Sequence, residues 1–300
     1  MSSTAFNLAS IDVRDLTGMV VKQGRNAIGK GSSADVWKAK YSRSGHRPVD
    51  VAVKILRSTS LSDRRVAEKF IRKLLREARV WSTLNHPNVA GFIGIYYEQI
   101  GGHRIPCLVS HFYERKTLSD NLAGLAERQR VKFFYQVLSG LAYLHRKNVI
   151  HGDLKPTNVL VDQSFTAVLS DFGFSRVLEA SGFTTSSTIS PGTIRYMARE
   201  LLDPKSTTTA PLATTQSDIW SAGMTGLEIL SGVIPYHGIL TNHELVFHIC
   251  CRSEFRPNQD LHPKVTKNQW KLLIDCWAEE NERPPADQLA KYWEKNYLTV

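Results

Sequence analysis

The sequence predicts an α+β fold in two lobes. A small β-rich lobe with one main helix spans about residues 20–112, a larger, mostly helical lobe spans about 113–295, and a lead-in segment of residues 1–19 precedes them. Three observations predict this. Short β-branched runs separated by turn residues crowd the first part of the chain. One segment there, and most of the chain after Leu118, changes to apolar residues at steps of three and four. A chain of 300 residues is also long enough for two bodies each to bury a core.

Residues 1 to about 20 carry a weak helical apolar spacing and no recognisable chemistry. Val20-Val-Lys, Ala34-Asp-Val-Trp-Lys-Ala-Lys40 and Val49-Asp-Val-Ala-Val-Lys-Ile-Leu56 then read as strands, the last two separated by a polar hairpin loop, Arg43 to Pro48. Residues 62–84 turn helical, with Phe70, Leu74, Ala78 and Trp81 on one stripe. More strands follow between Ala90 and Phe112. Val131, Phe134, Leu138, Leu141 and Leu144 mark a long amphipathic helix. A helix from near Ser217 to Leu230 is apolar nearly all round and so should be buried, and a third is expected over Gln269–Glu279. The Thr- and Ala-rich stretch Ser206–Thr215 reads as a loop insertion.

Composition excludes more than it assigns. The chain is 42% hydrophobic and 22% charged, ordinary for a globular protein. No run approaches the ~18–20 apolar residues of a membrane span, and no basic segment leads into an apolar run at the N-terminus, so no secretory signal is expected. Cys107, Cys250, Cys251 and Cys276 form no CxxC pair and read as reduced thiols, hence a cytoplasmic protein. The formal net charge is +10, but the Lys and Arg residues are scattered in the linear text, so no nucleic-acid partner is expected. A basic surface is compatible with acidic substrates or anionic membranes.

The residues with chemistry begin at Ile28-Gly-Lys-Gly-Ser-Ser-Ala-Asp-Val36. Glycines bring backbone N–H groups close to phosphate oxygens, although a hairpin that needs positive φ has the same text. The third glycine of a G-x-G-x-x-G pattern is Ala34 here, and the loop lies between strands, unlike a dinucleotide-binding strand–helix turn. Val51-Ala-Val-Lys54 ends an apolar strand on a cation; a surface lysine lying along apolar residues is the simpler alternative. Glu77 falls on the apolar stripe of the following helix, where a carboxylate needs a partner, and Lys54 is the natural one; Glu68 is the weaker candidate, because Arg64 and Arg72 flank it at helical spacing and are expected to satisfy it.

Two further motifs, His151-Gly-Asp-Leu-Lys-Pro-Thr-Asn158 after the long helix and Asp171-Phe-Gly173 after two short strands, complete a pattern that resembles the eukaryotic protein kinase family from about Val20 to Trp293. The tyrosine-kinase-like group is the most similar, on Leu75-Arg-Glu-Ala-Arg79 leading into Leu84-Asn-His-Pro-Asn88, the Asp15-Leu-Thr-Gly-Met-Val20 lead-in and Ser217-Asp-Ile-Trp-Ser221. The resemblance implies a bilobal protein-kinase-like fold and ATP with Mg²⁺ as cofactors. It implies Lys54 on the α/β-phosphates, held by Glu77. Asp153 would accept or orient the substrate hydroxyl proton, Lys155 would steady the γ-phosphate, and Asn158 and Asp171 would ligate Mg²⁺. Gly29, Lys30, Gly31, Ser32, Ser33 and Ala34 would cover the nucleotide. Ile28, Val36 and Ala52 would sandwich adenine from above and Leu160 from below, with Ser110 as gatekeeper and Phe112 in the hinge.

Downstream, Pro191-Gly-Thr-Ile-Arg-Tyr-Met-Ala-Arg-Glu200 resembles the substrate-seating segment, Asp218 the residue that braces the catalytic loop, and Arg283 the partner of Glu200. Asp153-Leu-Lys-Pro-Thr-Asn158 and Gly192-Thr-Ile-Arg-Tyr196, with Thr193 set to hydrogen-bond Asp153 and Lys155, imply serine/threonine specificity, and the resemblance as a whole implies protein substrates and a regulatory protein partner. Three positions depart from the pattern. Ala34 replaces glycine. Gly152 replaces the arginine that receives an activation-loop phosphate, which weakens the handle for phosphorylation in Thr184-Thr-Ser-Ser-Thr188. Arg199 replaces a proline. These departures feed the rival reading, a pseudokinase acting as an ATP-binding or scaffold module.

Overall fold

The computed structural model describes residues 13–30, 34–56, 64–100, 103–172, 192–202, 212–239, 241–251 and 255–298. The chain divides into two compact units, one of residues 1–85 and 91–112, the other of 86–90 and 113–300.

The first unit is an antiparallel sheet with one main helix. Its strands are β1 (Val20–Lys22), β2 (Gly29–Lys30), β3 (Ala34–Tyr41), β4 (Val49–Leu56), β5 (Phe92–Ile100) and β6 (His103–His111). Their order is β1-β3-β4-β6-β5, with β2 against β3. The β3–β4 hairpin runs in unbroken register from Ala34↔Leu56 to Tyr41↔Val49. Alternation sorts β4: Val51, Val53 and Ile55 are buried with Ala39, Tyr41, Cys107 and Val109, while Ala52 and Lys54 take the other face. Each fully buried aliphatic side chain there stabilises the sheet by about 1.5–3 kcal/mol.

The lead-in does not follow its helical spacing. Residues 13–16 run extended along β5: the Leu16 N–H donates to the Ile95 carbonyl at 2.7 Å and the Ile95 N–H to the Arg14 carbonyl at 2.9 Å. Leu16 is fully buried in the sheet's core. The approach is so close that a Cβ on Gly94 would lie 2.5 Å from the Arg14 carbonyl oxygen.

Helix α1 (Arg64–Ser82) buries Ile71, Leu74, Leu75, Ala78 and Trp81, and the Trp81 and Phe92 rings meet at 5.0 Å. The side chain of Phe70 lies outside the described residues. The cations that look scattered in the text are concentrated here: α1 holds seven Arg and Lys against two Glu, a net +5 of the chain's +10. A period of 3.6 gathers residues spaced three and four apart.

The second unit is helical. It contains α2 (Leu118–Asn121), α3 (Glu127–Arg146), a hairpin of β7 (Val159–Val161) and β8 (Ala167–Leu169), α4 (Arg199–Leu202), α5 (Thr215–Ser231), α6 (Asn242–Cys251), α7 (Lys267–Cys276) and α8 (Ala286–Tyr297). Helix α5 is its axis, buried from Ser217 to Ser231. It starts at a Thr214–Ser217 capping box and stops where Gly232, at φ 76°, donates to the Glu228 carbonyl. On α3, Val131, Phe134, Leu138, Leu141 and Leu144 are buried as their spacing predicts. Phe134 meets Trp293 of α8 edge-on at 4.7 Å, and the Trp293 indole N–H donates to the Val131 carbonyl. Helix α7 is offset from the expected 269–279 because a capping box between Thr266 and Gln269 begins it earlier. Among the described residues no helix is long and apolar enough to cross a membrane.

Candidate active site

Long-range polar anchors shape the segment after α3. Helix α3 ends in a turn with Asn148 at φ 56°, and the chain enters His151, which is fully buried. Asp218, in the first turn of α5 and 1% exposed, fixes the backbone at this point. Its carboxylate accepts from the His151 N–H at 2.7 Å and the Gly152 N–H at 2.8 Å, and Nε2 of His145 lies 3.0 Å away. Gly152 sits at φ 78°, a conformation that strains any residue with a Cβ. Burial pushes the His151 pKa down while Asp218, Asp153 and Asp171 pull it up. Nδ1 of His151 accepts from the Asp153 N–H at 3.3 Å.

This brace presents a compact polar cluster. The Lys155 ammonium lies 3.0 and 2.8 Å from the two Asp153 carboxylate oxygens and donates to the Thr193 hydroxyl at 2.6 Å. Asn158, in the 3₁₀ turn Pro156–Asn158, donates from its amide nitrogen to the Asp153 carbonyl at 2.7 Å and to the Asp153 carboxylate at 2.8 Å. Both of its N–H bonds are thereby used, which leaves its amide oxygen as the atom suited to a cation. The Ser170 N–H and hydroxyl each donate to the Asn158 carbonyl at 2.9 Å, tying the 3₁₀ turn to the residue before Asp171. Asp171 has φ 60°, a strained setting that Asp tolerates better than most residues. Phe172 is buried with its ring 6.3 Å from that of His151. Among the described residues no trio of His, Cys, Asp or Glu gathers into a metal cage. An amide oxygen and a carboxylate are hard donors that suit Mg²⁺, a cation that usually keeps waters and substrate phosphates as its remaining ligands.

The segment that carries Thr193 is anchored as firmly. Gly192 has φ 96° and leads into the 3₁₀ turn Thr193–Tyr196. Arg195 donates to the carbonyls of Pro235, Tyr236 and Ile239 at 2.9, 2.9 and 2.6 Å. The Tyr196 hydroxyl donates to the Glu228 carboxylate. Burial raises the pKa of both groups. Glu200 forms a two-pronged pair with Arg283, at 2.6 and 2.9 Å, despite Arg199 before it. Arg283 also donates to the Ala278 and Gln216 carbonyls. With Arg256 it flanks the Trp220 ring, the two guanidinium carbons at 5.1 and 4.7 Å from the ring centre.

The remaining expected residues belong to the first unit, apart from Leu160, half-buried on β7 opposite Val168. Lys54 pairs with Val36 on β3 and Leu108 on β6, and Ala52 with Ser110, so these side chains share one sheet face. Gly29 pairs with Val36, and Ile28 is 55% exposed. Ala34 is buried, and Phe112 lies under the Lys38 ammonium at 4.6 Å. Glu77 lies on α1, but its side chain, like that of Lys30, falls outside the described residues. So do Gly31, Ser32, Ser33, Gly173, Thr184–Thr188 and Pro191. Sequence reasoning passed over Tyr196, Glu228 and Arg130. The last is buried and donates to the Ile229, Leu122 and Leu125 carbonyls. The available signal was an ionisable residue inside an apolar stripe, as at Glu228 in α5.

A family described as protein tyrosine and serine/threonine kinase matches residues 22–292. The chain is similar to the probable serine/threonine-protein kinase PknB of Lactococcus lactis, 32% identical over 70% of this chain and 31% of that protein. It is also similar to the serine/threonine-protein kinase CTR1 of Arabidopsis thaliana, 32% identical over 87% of this chain and 30% of that protein. The tyrosine-protein kinase receptor TYRO3 of Danio rerio is 25% identical over 89% of this chain and 31% of the receptor. The chain thus spans under a third of the length of these relatives.

Proposed function

The chain belongs to the protein tyrosine and serine/threonine kinase family, and from that premise we propose that it transfers the γ-phosphate of Mg-ATP to serine and threonine hydroxyls of protein substrates. The observation that carries the reading is the Lys155 ammonium held between the Asp153 carboxylate and the Thr193 hydroxyl. In the mechanism Asp153 takes the proton of the attacking hydroxyl, oriented by the two Asn158 hydrogen bonds. Lys155 faces the negative charge that builds on the transferred group. Asn158 and Asp171 hold Mg²⁺, which neutralises phosphate charge and orients the transferred group when bound. Lys54, held by Glu77, takes the α/β-phosphates. Ile28 to Ala34, Val36, Ala52, Ser110, Phe112 and Leu160 line the nucleotide site. Thr193 ties Lys155 to the segment that seats the substrate residue, which supports a short aliphatic hydroxyl over tyrosine. The catalytic domain is placed at about residues 20–295, inside the cell, with protein substrates and a regulatory protein partner and no nucleic acid. The kinase names of the relatives favour an enzyme over a pseudokinase.

The test is Mg²⁺/ATP-dependent phosphate incorporation into a generic protein substrate by wild type and Asp153→Asn, with phosphoamino-acid analysis. Label on serine and threonine that falls by about 10²-fold or more in the variant is expected. Label on tyrosine would overturn the specificity, and equal rates in the two proteins would remove Asp153 from the mechanism.

A further inference from the structure

Helix α1 concentrates positive charge on its exposed side. Arg72, Arg76 and Arg79 are all exposed, while the intervening Leu74, Leu75 and Ala78 are buried. Steps of four and three put the three arginines in one row about 10 Å long. Arg65 and Lys69 continue the same spacing in the sequence. Among the described residues none of the three guanidinium groups has a hydrogen bond or an ion pair. The neighbouring sheet is different: Lys22 is matched by Glu98, and Lys38 and Lys40 by Asp50. A row of unmatched like charges destabilises its own helix, so its presence calls for an external counter-charge.

We propose that this face of α1 is a docking surface for an acidic protein segment, a helix bearing carboxylates at matching intervals. Three features select that occupant. Every described cation in the row is arginine, whose planar fork pairs two-pronged with carboxylates. Spacings of three and four match carboxylates on one face of a partner helix. Among the described residues the row is bordered by one exposed apolar residue, Val80, 37% exposed. Those residues offer neither the large apolar face that enters a bilayer nor the aromatic platform on which bases stack. The surface lies on the first unit and does not depend on the phosphotransfer reading.

The experiment measures fluorescence anisotropy of a labelled helical peptide of about 20 residues with glutamates at alternating steps of three and four. Wild type is compared with R72E/R76E/R79E and with K132E/K271E/K291E, an equal charge reversal at exposed lysines of the second unit. The α1 variant should bind about tenfold or more weakly, the control variant close to wild type, and wild-type binding should weaken as salt rises from about 0.05 to about 0.3 M. A lysine-for-glutamate version of the peptide should bind the α1 variant better than wild type. No binding to wild type, or equal loss in both variants, would overturn the proposal. So would preferential binding to phosphatidylserine vesicles or duplex RNA through the same three arginines. The altered side chains are solvent-exposed, and matching circular dichroism melts establish that each variant is folded.

Discussion

Asp218→Asn keeps size and shape while removing one acceptor, so it isolates what the carboxylate does for the His151–Asn158 loop. In the native arrangement one oxygen serves the His151 N–H and lies near His145, and the other serves the Gly152 N–H. The better orientation of an asparagine keeps its carbonyl on the His151 side and turns its NH₂ towards the Gly152 N–H, donor against donor. One charge-assisted hydrogen bond is lost and a donor is left unmet beside a side chain 1% exposed. A charge-assisted bond is worth about 1.5–3 kcal/mol and a stranded buried donor costs about 1–3 kcal/mol. Gly152 is only half-buried, so water offsets part of this and the expected total is about 2–4 kcal/mol. Tryptophan fluorescence reports it, since Trp220, Trp270, Trp277 and Trp293 all lie in the second unit. The urea midpoint should fall by about 1 M, and activity should fall further than stability because Asp153 comes directly after the released residues. A midpoint equal to wild type within experimental scatter would refute the idea that this carboxylate supports the loop.

Other perturbations obey the same logic. Arg283→Lys exchanges a two-pronged contact with Glu200 and two carbonyl contacts for a single ammonium. It should cost about 2–3 kcal/mol in thermal unfolding, and an unchanged melt would contradict the assigned pairing. Gly152→Ala places a Cβ at φ 78° and should destabilise by about 1 kcal/mol by chemical denaturation; a stabilised variant would contradict the strain argument. His262 is 1% exposed, with Nδ1 on the Ser231 hydroxyl, and burial lowers its pKa. The unfolded chain therefore binds a proton that the folded one does not, and stability falls as pH drops below about 6.5, by up to about 1.4 kcal/mol per pH unit. His262→Leu should flatten that slope in melts taken between about pH 5 and 7.5; an unchanged slope would remove His262 as a cause.

Much of the architecture was legible because it rests on local periodicity. The Leu74, Ala78 and Trp81 stripe, the Val131 to Leu144 stripe and the alternation in Val49–Leu56 each report which side of an element is buried, whatever covers it. The polar cluster of the candidate site was legible for a related reason: Asp153, Lys155 and Asn158 lie within six residues of one another, so a contiguous motif carries most of their geometry. Leu16 could not be read this way. One leucine in a short segment has no period, and its place depends on β5, about 80 residues further along. Nor could the row on α1, since cations separated by intervening apolar residues become neighbours only once the helix is wound.

The sequence by itself determined the order of elements, their buried faces and the identity of the polar residues that gather at the His151–Asn158 segment. The tertiary structure alone decided what holds those residues in place. Asp218 braces backbone groups 66 and 67 residues away, and Arg283 meets Glu200 across 83. The Tyr196 hydroxyl finds the Glu228 carboxylate deep in the second unit. Such partners leave no periodic or contiguous trace, because a hydrogen bond needs correct distance and direction in space and makes no demand on separation along the chain.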